Sequence, residues 1–177
     1  MNIDLNLDDY IRKVKDFPKK GILFYDVTSL FTNPVSFKWI INKLMDLYRD
    51  SKIDAVLAVE SRGFIVAAPF AYNLGIPLTL ARKKGKLPGD TISQSYALEY
   101  GEATLEVHKT DIKKGSNVLI IDDLVATGGT LKACAQMVEK LGGRVEGFFG
   151  IIGLPFLNYD KALEGYKVKT LINYQSE

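Results

Sequence analysis

Cysteine and histidine each occur once in these 177 residues, as Cys134 and His108. A single thiol closes no disulfide within the chain, and one thiol with one imidazole cannot furnish the ligand set of a structural zinc site. Charge of one sign is also scarce, since 23 basic residues against 21 acidic ones leave a net +2. That is too little to argue for nucleic acid or an anionic membrane, and neither is expected as a partner. No apolar run approaches the ~18 residues of a membrane span. Asp4, Asp8 and Asp9 interrupt the first residues, where a signal peptide needs an apolar stretch. A reducing cytoplasm suits all of this, so a cytoplasmic protein is expected. With 47% hydrophobic and 25% charged residues, the chain can bury one substantial core and is expected to form one domain over 1–177.

What is present concentrates in residues 117–130. Val118, Leu119, Ile120 and Ile121 form an unbroken apolar run, which suits a strand buried on both faces of a parallel sheet. Two acids, Asp122 and Asp123, stand where that strand ends. The small-residue loop Ala126-Thr127-Gly128-Gly129-Thr130 follows, and then Leu131, Cys134, Ala135, Val138 and Leu141 at helical spacing. This places Cys134 on an apolar helix face, as a buried and inert thiol. A glycine-rich loop between strand and helix can turn several backbone N–H groups onto one anion, helped by the helix dipole. Thr127 and Thr130 add hydroxyl donors. The acids would repel a bare phosphate; ribose hydroxyls or a phosphate-bound Mg²⁺ suit them better. The loop has neither the lysine of a Walker motif nor a Gly-x-Gly-x-x-Gly fingerprint. By residue type alone, a tight turn with solvated acids at its mouth remains the competing reading. The complete string resembles the phosphoribosyl pyrophosphate loop of the type I phosphoribosyltransferases, and its Ala-Thr-Gly-Gly-Thr ending most resembles the adenine-specific members.

The same family order recurs along the chain. Leu7, Tyr10, Ile11 and Val14 predict a helix over 7–15 behind Asn6, stopped by Phe17-Pro18. Residues 21–26 read as an extended apolar piece, by pattern a small edge strand. They resemble the family's hood over the purine base (about 1–33), which implies Phe24 stacking on the base and backbone near Leu23 and Tyr25 bonding its edge. Many relatives carry arginine where this chain has Tyr25. Asn33-Pro34 opens a long amphipathic helix over 34–50. A buried strand at 55–59 precedes Glu60-Ser61-Arg62-Gly63-Phe64, at the strand end where open α/β sheets place ligands. A surface pair between Arg62 and Glu60 is the plain alternative. The string resembles the family's pyrophosphate turn, which assigns Glu60, Ser61 and Arg62 to the pyrophosphate and implies a cis Glu60–Ser61 peptide. Pro69 predicts a kink or early break in the helix over 64–74.

After a strand at 78–81, residues 82–101 turn polar, with Arg82, Lys83, Lys84 and Lys86 bunched together. Residues 92–96 and 104–108 alternate and predict an antiparallel flap that projects instead of joining the core. The stretch resembles the family's catalytic flap (about 83–107), carrying Lys86, Ser95, Tyr96, Glu99 and Tyr100. Strands at 144–152 and 168–172 and a helical turn at 160–163 complete the pattern. Alternating strands and helices give an α/β class, a central parallel sheet flanked by helices. The resemblance implies the type I phosphoribosyltransferase fold with a small hood and a flexible catalytic flap.

It also implies a homodimer that transfers phosphoribose from phosphoribosyl pyrophosphate to N9 of adenine, giving AMP and diphosphate. Breaking the C1′–O bond builds positive charge on the ribose and negative charge on the leaving group. The site must neutralise the pyrophosphate, hold the 5′-phosphate and exclude water. Arg62 and Lys86 suit the first need and residues 126–130 the second, with the flap as lid. Asp122 and Asp123 suit the ribose, Glu99 the purine N7, and Mg²⁺ is expected to be held mainly by substrate, reached by the protein through Asp122 and Asp123. Two alternatives stay open: a phosphoribosyltransferase for xanthine or hypoxanthine, and a non-enzymatic regulator sensing phosphoribosyl pyrophosphate. The regulator would need a DNA-binding domain or a strongly basic face.

Overall fold

A computed structural model describes residues 5–97 and 101–176. After a 3₁₀ turn at Leu7–Tyr10, β1 (Arg12–Lys15) pairs antiparallel with β2 (Leu23–Asp26) in a two-stranded sheet of its own. The helix expected over 7–15 is thus confined to one turn. Val14 and Lys13 pair with Phe24 and Tyr25 instead, and this partner strand lies outside any local helical pattern. The Phe17–Pro18 peptide between the strands is cis. A short helix α1 (Thr28–Thr32) leads to α2 (Pro34–Leu47). The Asn33 side chain accepts the Val35 and Ser36 amides at 2.9 and 3.3 Å, with Pro34 at the first helical position.

The remaining elements are β3 (Ala55–Val59), α3 (Gly63–Leu74), β4 (Leu78–Lys83), β5 (Thr91–Ala97), β6 (Glu102–His108), β7 (Asn117–Ile121), β8 (Leu124–Val125), α4 (Gly129–Lys140), β9 (Arg144–Gly153), α5 (Tyr159–Ala162) and β10 (Val168–Asn173). Helix α3 runs through Pro69 without an early break. Buried Val66 and Ala67 before the proline, and Phe70 and Ala71 after it, seat both halves of the helix in the core.

The main sheet runs β10-β9-β7-β3-β4-β6-β5, with β8 pairing β9 off this path. β10, β9, β7, β3 and β4 are parallel. Val56 and Ala58 face a cluster with Ile40 and Leu44 of α2 and Val66 and Phe70 of α3. Leu57 and Val59 face the opposite cluster, with Leu131, Met137 and Val138 of α4. Both faces are therefore covered, which is why β3 and β7 read as continuous apolar runs.

The β5–β6 hairpin forms as its alternation predicts, with Ile92 opposite Val107 and Ser95 opposite Thr104. It does not stand apart from the core. β6 also pairs with β4, and Leu105 and Val107 are buried; the apolar side of the alternation fills the end of the α4 face. Glu99 and Tyr100 lie outside the described residues.

Candidate active site

From β3 the chain crosses to β4 on one side, and β7 then takes the place on the other side of β3. At such a switch point the loops leaving the strand ends diverge and open a crevice. Here it is a cleft of ≈ 430 Å³ lined by Val59, Glu60, Ser61, Arg62, Lys83, Tyr96, Asp122, Asp123, Leu124, Ala126 and Thr130. The turn after β3 and the loop after β7 meet at Gly63. A Cβ there would lie 2.7 Å from the Ile121 carbonyl oxygen and 3.2 Å from Asp122 Cα. Only glycine permits that approach. The Glu60–Ser61 peptide at this turn is cis, as expected.

Arg62 Nε donates to Asp123 Oδ2 at 2.5 Å, and Asp123 is buried while the arginine is part exposed. Arg62 thus pairs across the cleft with the acid after β7 and not with Glu60. The Glu60 carboxylate points toward β4, accepting the Lys83 amide at 2.7 Å and Arg82 Nε at 3.3 Å. Burial raises its pKa, but the Lys83 amide and the Arg82 guanidinium outweigh that and hold the carboxyl below its ordinary range. Of the four residues expected at the pyrophosphate, Glu60, Ser61, Arg62 and Lys86, Glu60 therefore has its carboxylate committed to holding the turn in place. Asp122 is pushed in the opposite direction, well above the usual carboxylate range, by burial first and then by the neighbouring Asp123 charge. Its Oδ1 accepts the Asp123 amide at 2.8 Å.

Beside the cleft, a cavity of ≈ 60 Å³ opens within the loop itself, among Ala126, Thr127, Gly128 and Thr130. Gly128 precedes α4 at φ +83, a conformation that side chains rarely adopt, and a Cβ there would press on Ala162 and Leu163 at 3.0–3.1 Å. The first amides of α4 have no acceptor within the helix and are directed at this cavity's end of the loop. Gly129 is different. A Cβ there would reach Ala97 and Tyr96 of β5 only at 3.5–3.6 Å, ordinary contact.

Of the flap residues, Tyr96 lines the cleft, whereas Ser95 Oγ bonds Thr104 Oγ1 across the hairpin at 2.8 Å. Lys86 is exposed in the loop after β4 and does not line the cleft; Lys83 does. Leu23 and Phe24 are half-buried in β2, with Phe24 edge-on to Phe17 at 5.0 Å, and neither is among the cleft's lining residues. Tyr25 is buried and stacks on Tyr174, so its side chain is not available to a base. Sequence reading passed over three cleft residues, Val59, Lys83 and Leu124, the first being read only as the end of a strand. Lys83 was visible only as one lysine among several. Leu124 had a signal, an apolar side chain between two acids and a glycine loop where a strand has already ended.

Among the described residues no group of three or more His, Cys, Asp or Glu side chains is arranged to hold a metal. Two adjacent carboxylates at the cleft suit a Mg²⁺ that arrives with phosphate and water ligands of its own. Cys134 is buried, as expected, and burial pushes its thiol pKa up. Among the described residues no helix is long and apolar enough to cross a membrane.

The family model of the phosphoribosyl transferase domain matches residues 26–154. The adenine phosphoribosyltransferase of Treponema denticola is 60% identical over 174 residues, covering 98% of this chain and 92% of its own. The crystal structure of adenine phosphoribosyltransferase from Thermoanaerobacter pseudethanolicus superposes with a TM-score of 0.91 at 43% identity, covering 95% of this chain and 98% of that one. The Saccharomyces cerevisiae enzyme, complexed with an imino-altritol bisphosphate and adenine, gives 0.87 at 36% identity, covering 93% and 96%.

Proposed function

The chain belongs to the phosphoribosyltransferase family, with the type I fold, and from that premise we propose how its cleft transfers phosphoribose from phosphoribosyl pyrophosphate to N9 of adenine, giving AMP and diphosphate. The observation that carries this reading is the meeting, at one switch point, of the Arg62 turn, the paired acids and the glycine-led start of α4. The amides at 127–130 and the hydroxyls of Thr127 and Thr130 hold the 5′-phosphate. Asp122 and Asp123 accept the ribose hydroxyls. Arg62 leaves Asp123 for the pyrophosphate, where Ser61 and Lys83 also face and Lys86 arrives with the loop; the cations stabilise charge as the C1′–O bond breaks. Asp122 and Asp123 would hold a Mg²⁺ that comes with the substrate, and that ion would supply Lewis-acid assistance to the same departure. Phe24 stacks on the purine, Leu23 and Tyr25 offer backbone groups to its edge, and Leu124 supplies apolar surface inside the cleft. Glu99 exchanges a proton near N7, while Tyr96, with Ser95 and Tyr100 on the same flap, screens the reacting atoms from water.

Helix α3 supports a homodimer, because Ile65, Ala68 and Tyr72 recur along one exposed stripe and Tyr72 is 86% exposed. Light scattering at micromolar concentration should give about twice the 19.7 kDa chain mass. The cytoplasm is the proposed compartment, on the ground that the sole cysteine is a free, buried thiol. The central test is AMP formation from adenine with Mg²⁺, with hypoxanthine, guanine and xanthine as competitors. Adenine should be used in preference to all three. Preferential turnover of another base would move the chain to a different substrate, and no turnover with any base would favour the regulator.

A further inference from the structure

Among the described residues the hood makes no strand pairing with the main sheet, and a two-stranded hairpin alone is marginal in water. Something else must fix its distance from the cleft. On one side Ser29 Oγ accepts the Arg12 amide at 2.9 Å and lies 2.7 Å from the Tyr10 carbonyl oxygen that it donates to. On the other side stands the segment that follows β10. The Tyr174 amide donates to the Gly153 carbonyl at 3.1 Å, so its backbone belongs to the main sheet. Its side chain belongs to the hood. The ring lies flat on Tyr25, with centroids 3.7 Å apart and planes at 13°. The phenol donates to Asp8, which Lys13 Nζ also reaches at 2.7 Å. Tyr25 OH extends the contact to the Ser176 carbonyl at 3.5 Å.

Side chains alternate along a strand, so Tyr25 facing Tyr174 sets Phe24 on the opposite face of β2. We propose that Tyr174 is a positioning residue for the purine: the stack of its ring on Tyr25 braces the hood, and so holds Phe24 at the stacking distance from the base. The proposal rests on the reading above that the hood receives the purine. It gives Tyr25, where the chain departs from many relatives, a task unrelated to base contact.

The test compares Tyr174→Ala with Tyr174→Phe. An aromatic pair contributes enough that Tyr174→Ala should raise the KM for adenine about five- to tenfold, with kcat and the KM for phosphoribosyl pyrophosphate within about twofold. Tyr174→Phe keeps the stacked ring and should stay within about twofold on the adenine KM. Hydrogen exchange without substrate should be faster at residues 23–26 in Tyr174→Ala and unchanged at 118–121. An unchanged adenine KM in folded Tyr174→Ala overturns the proposal. So does an equal rise in both KM values, or a Phe variant as impaired as the Ala variant. If Phe24→Ala leaves the adenine KM unaltered, the base-binding reading of the hood fails, while the exchange experiment still decides whether Tyr174 braces it.

Discussion

The two walls proposed above, an anion wall around the cleft and a hood wall for the base, are built in different ways. The anion wall rises from β3 and β7, strands buried on both faces; its loops touch through backbone at Gly63, and Gly128 sits against the side chains of Ala162 and Leu163. The hood wall is a pair of short strands held by side chains, the Tyr25–Tyr174 stack on one flank and Ser29 on the other. Backbone contacts inside a packed core have few alternatives, so the anion wall should tolerate almost no change. Side-chain braces at a surface can be loosened by degrees. The difference suits the chemistry, since every substrate of this reaction class carries the same phosphoribosyl pyrophosphate and only the base varies.

The largest effect should come from Gly128→Val. Left-handed strain of ~1–2 kcal/mol adds to ~1–3 kcal/mol of crowding against Ala162 and Leu163. Steady-state kinetics on the folded variant should show about a hundredfold rise in the KM for phosphoribosyl pyrophosphate; a near-native value would remove the phosphate from this loop. Gly63→Ala comes next. Its Cβ would force the two loops apart, and the same KM should rise about tenfold, with the adenine KM nearly constant. Phe24→Ala should reverse that pattern, raising the adenine KM about tenfold through loss of stacking and sparing phosphoribosyl pyrophosphate. Equal responses to Gly63→Ala and Phe24→Ala would mean that the walls are not separable.

Glu60→Gln is expected to act on stability. Against the effect of burial, the Lys83 amide and Arg82 at its carboxylate hold the folded group below its ordinary value of 4.5. Its contribution is therefore present above 4.5 and is lost as pH falls through the folded value. Thermal melts should show the variant less stable than the parent at pH 7 and the gap closing as pH falls below the ordinary 4.5. A gap that stays constant with pH would mean that charge on Glu60 does not hold the turn. Smallest of all is Gly129→Ala, where the new methyl meets only ordinary contacts and the helix gains propensity. Its KM for phosphoribosyl pyrophosphate should change less than about threefold, which separates the two adjacent glycines.

What could be read from the sequence was whatever depends on near neighbours. The run at 118–121 is apolar because both faces are covered, and the acids and glycines that follow it mark a turn into a helix without reference to the rest of the chain. Asn33-Pro34 starts a helix for equally local reasons. The readings that failed all involve partners distant in sequence. Residues 12–15 carry a helical pattern but lie next to β2, whose pairing outweighs a weak local preference. The hairpin's base joins the core because β6 finds β4. Arg62 pairs with Asp123, 61 positions away, because the sheet order sets β7 beside β3, and Glu60 is left to face β4. The Tyr25 side chain is taken up by Tyr174, 149 positions away, which follows β10. Sequence alone therefore determined the chemical groups presented at the cleft and the strands that carry them. Tertiary structure decided which charges meet and what holds the hood, because strand order and the packing of distant segments set those distances.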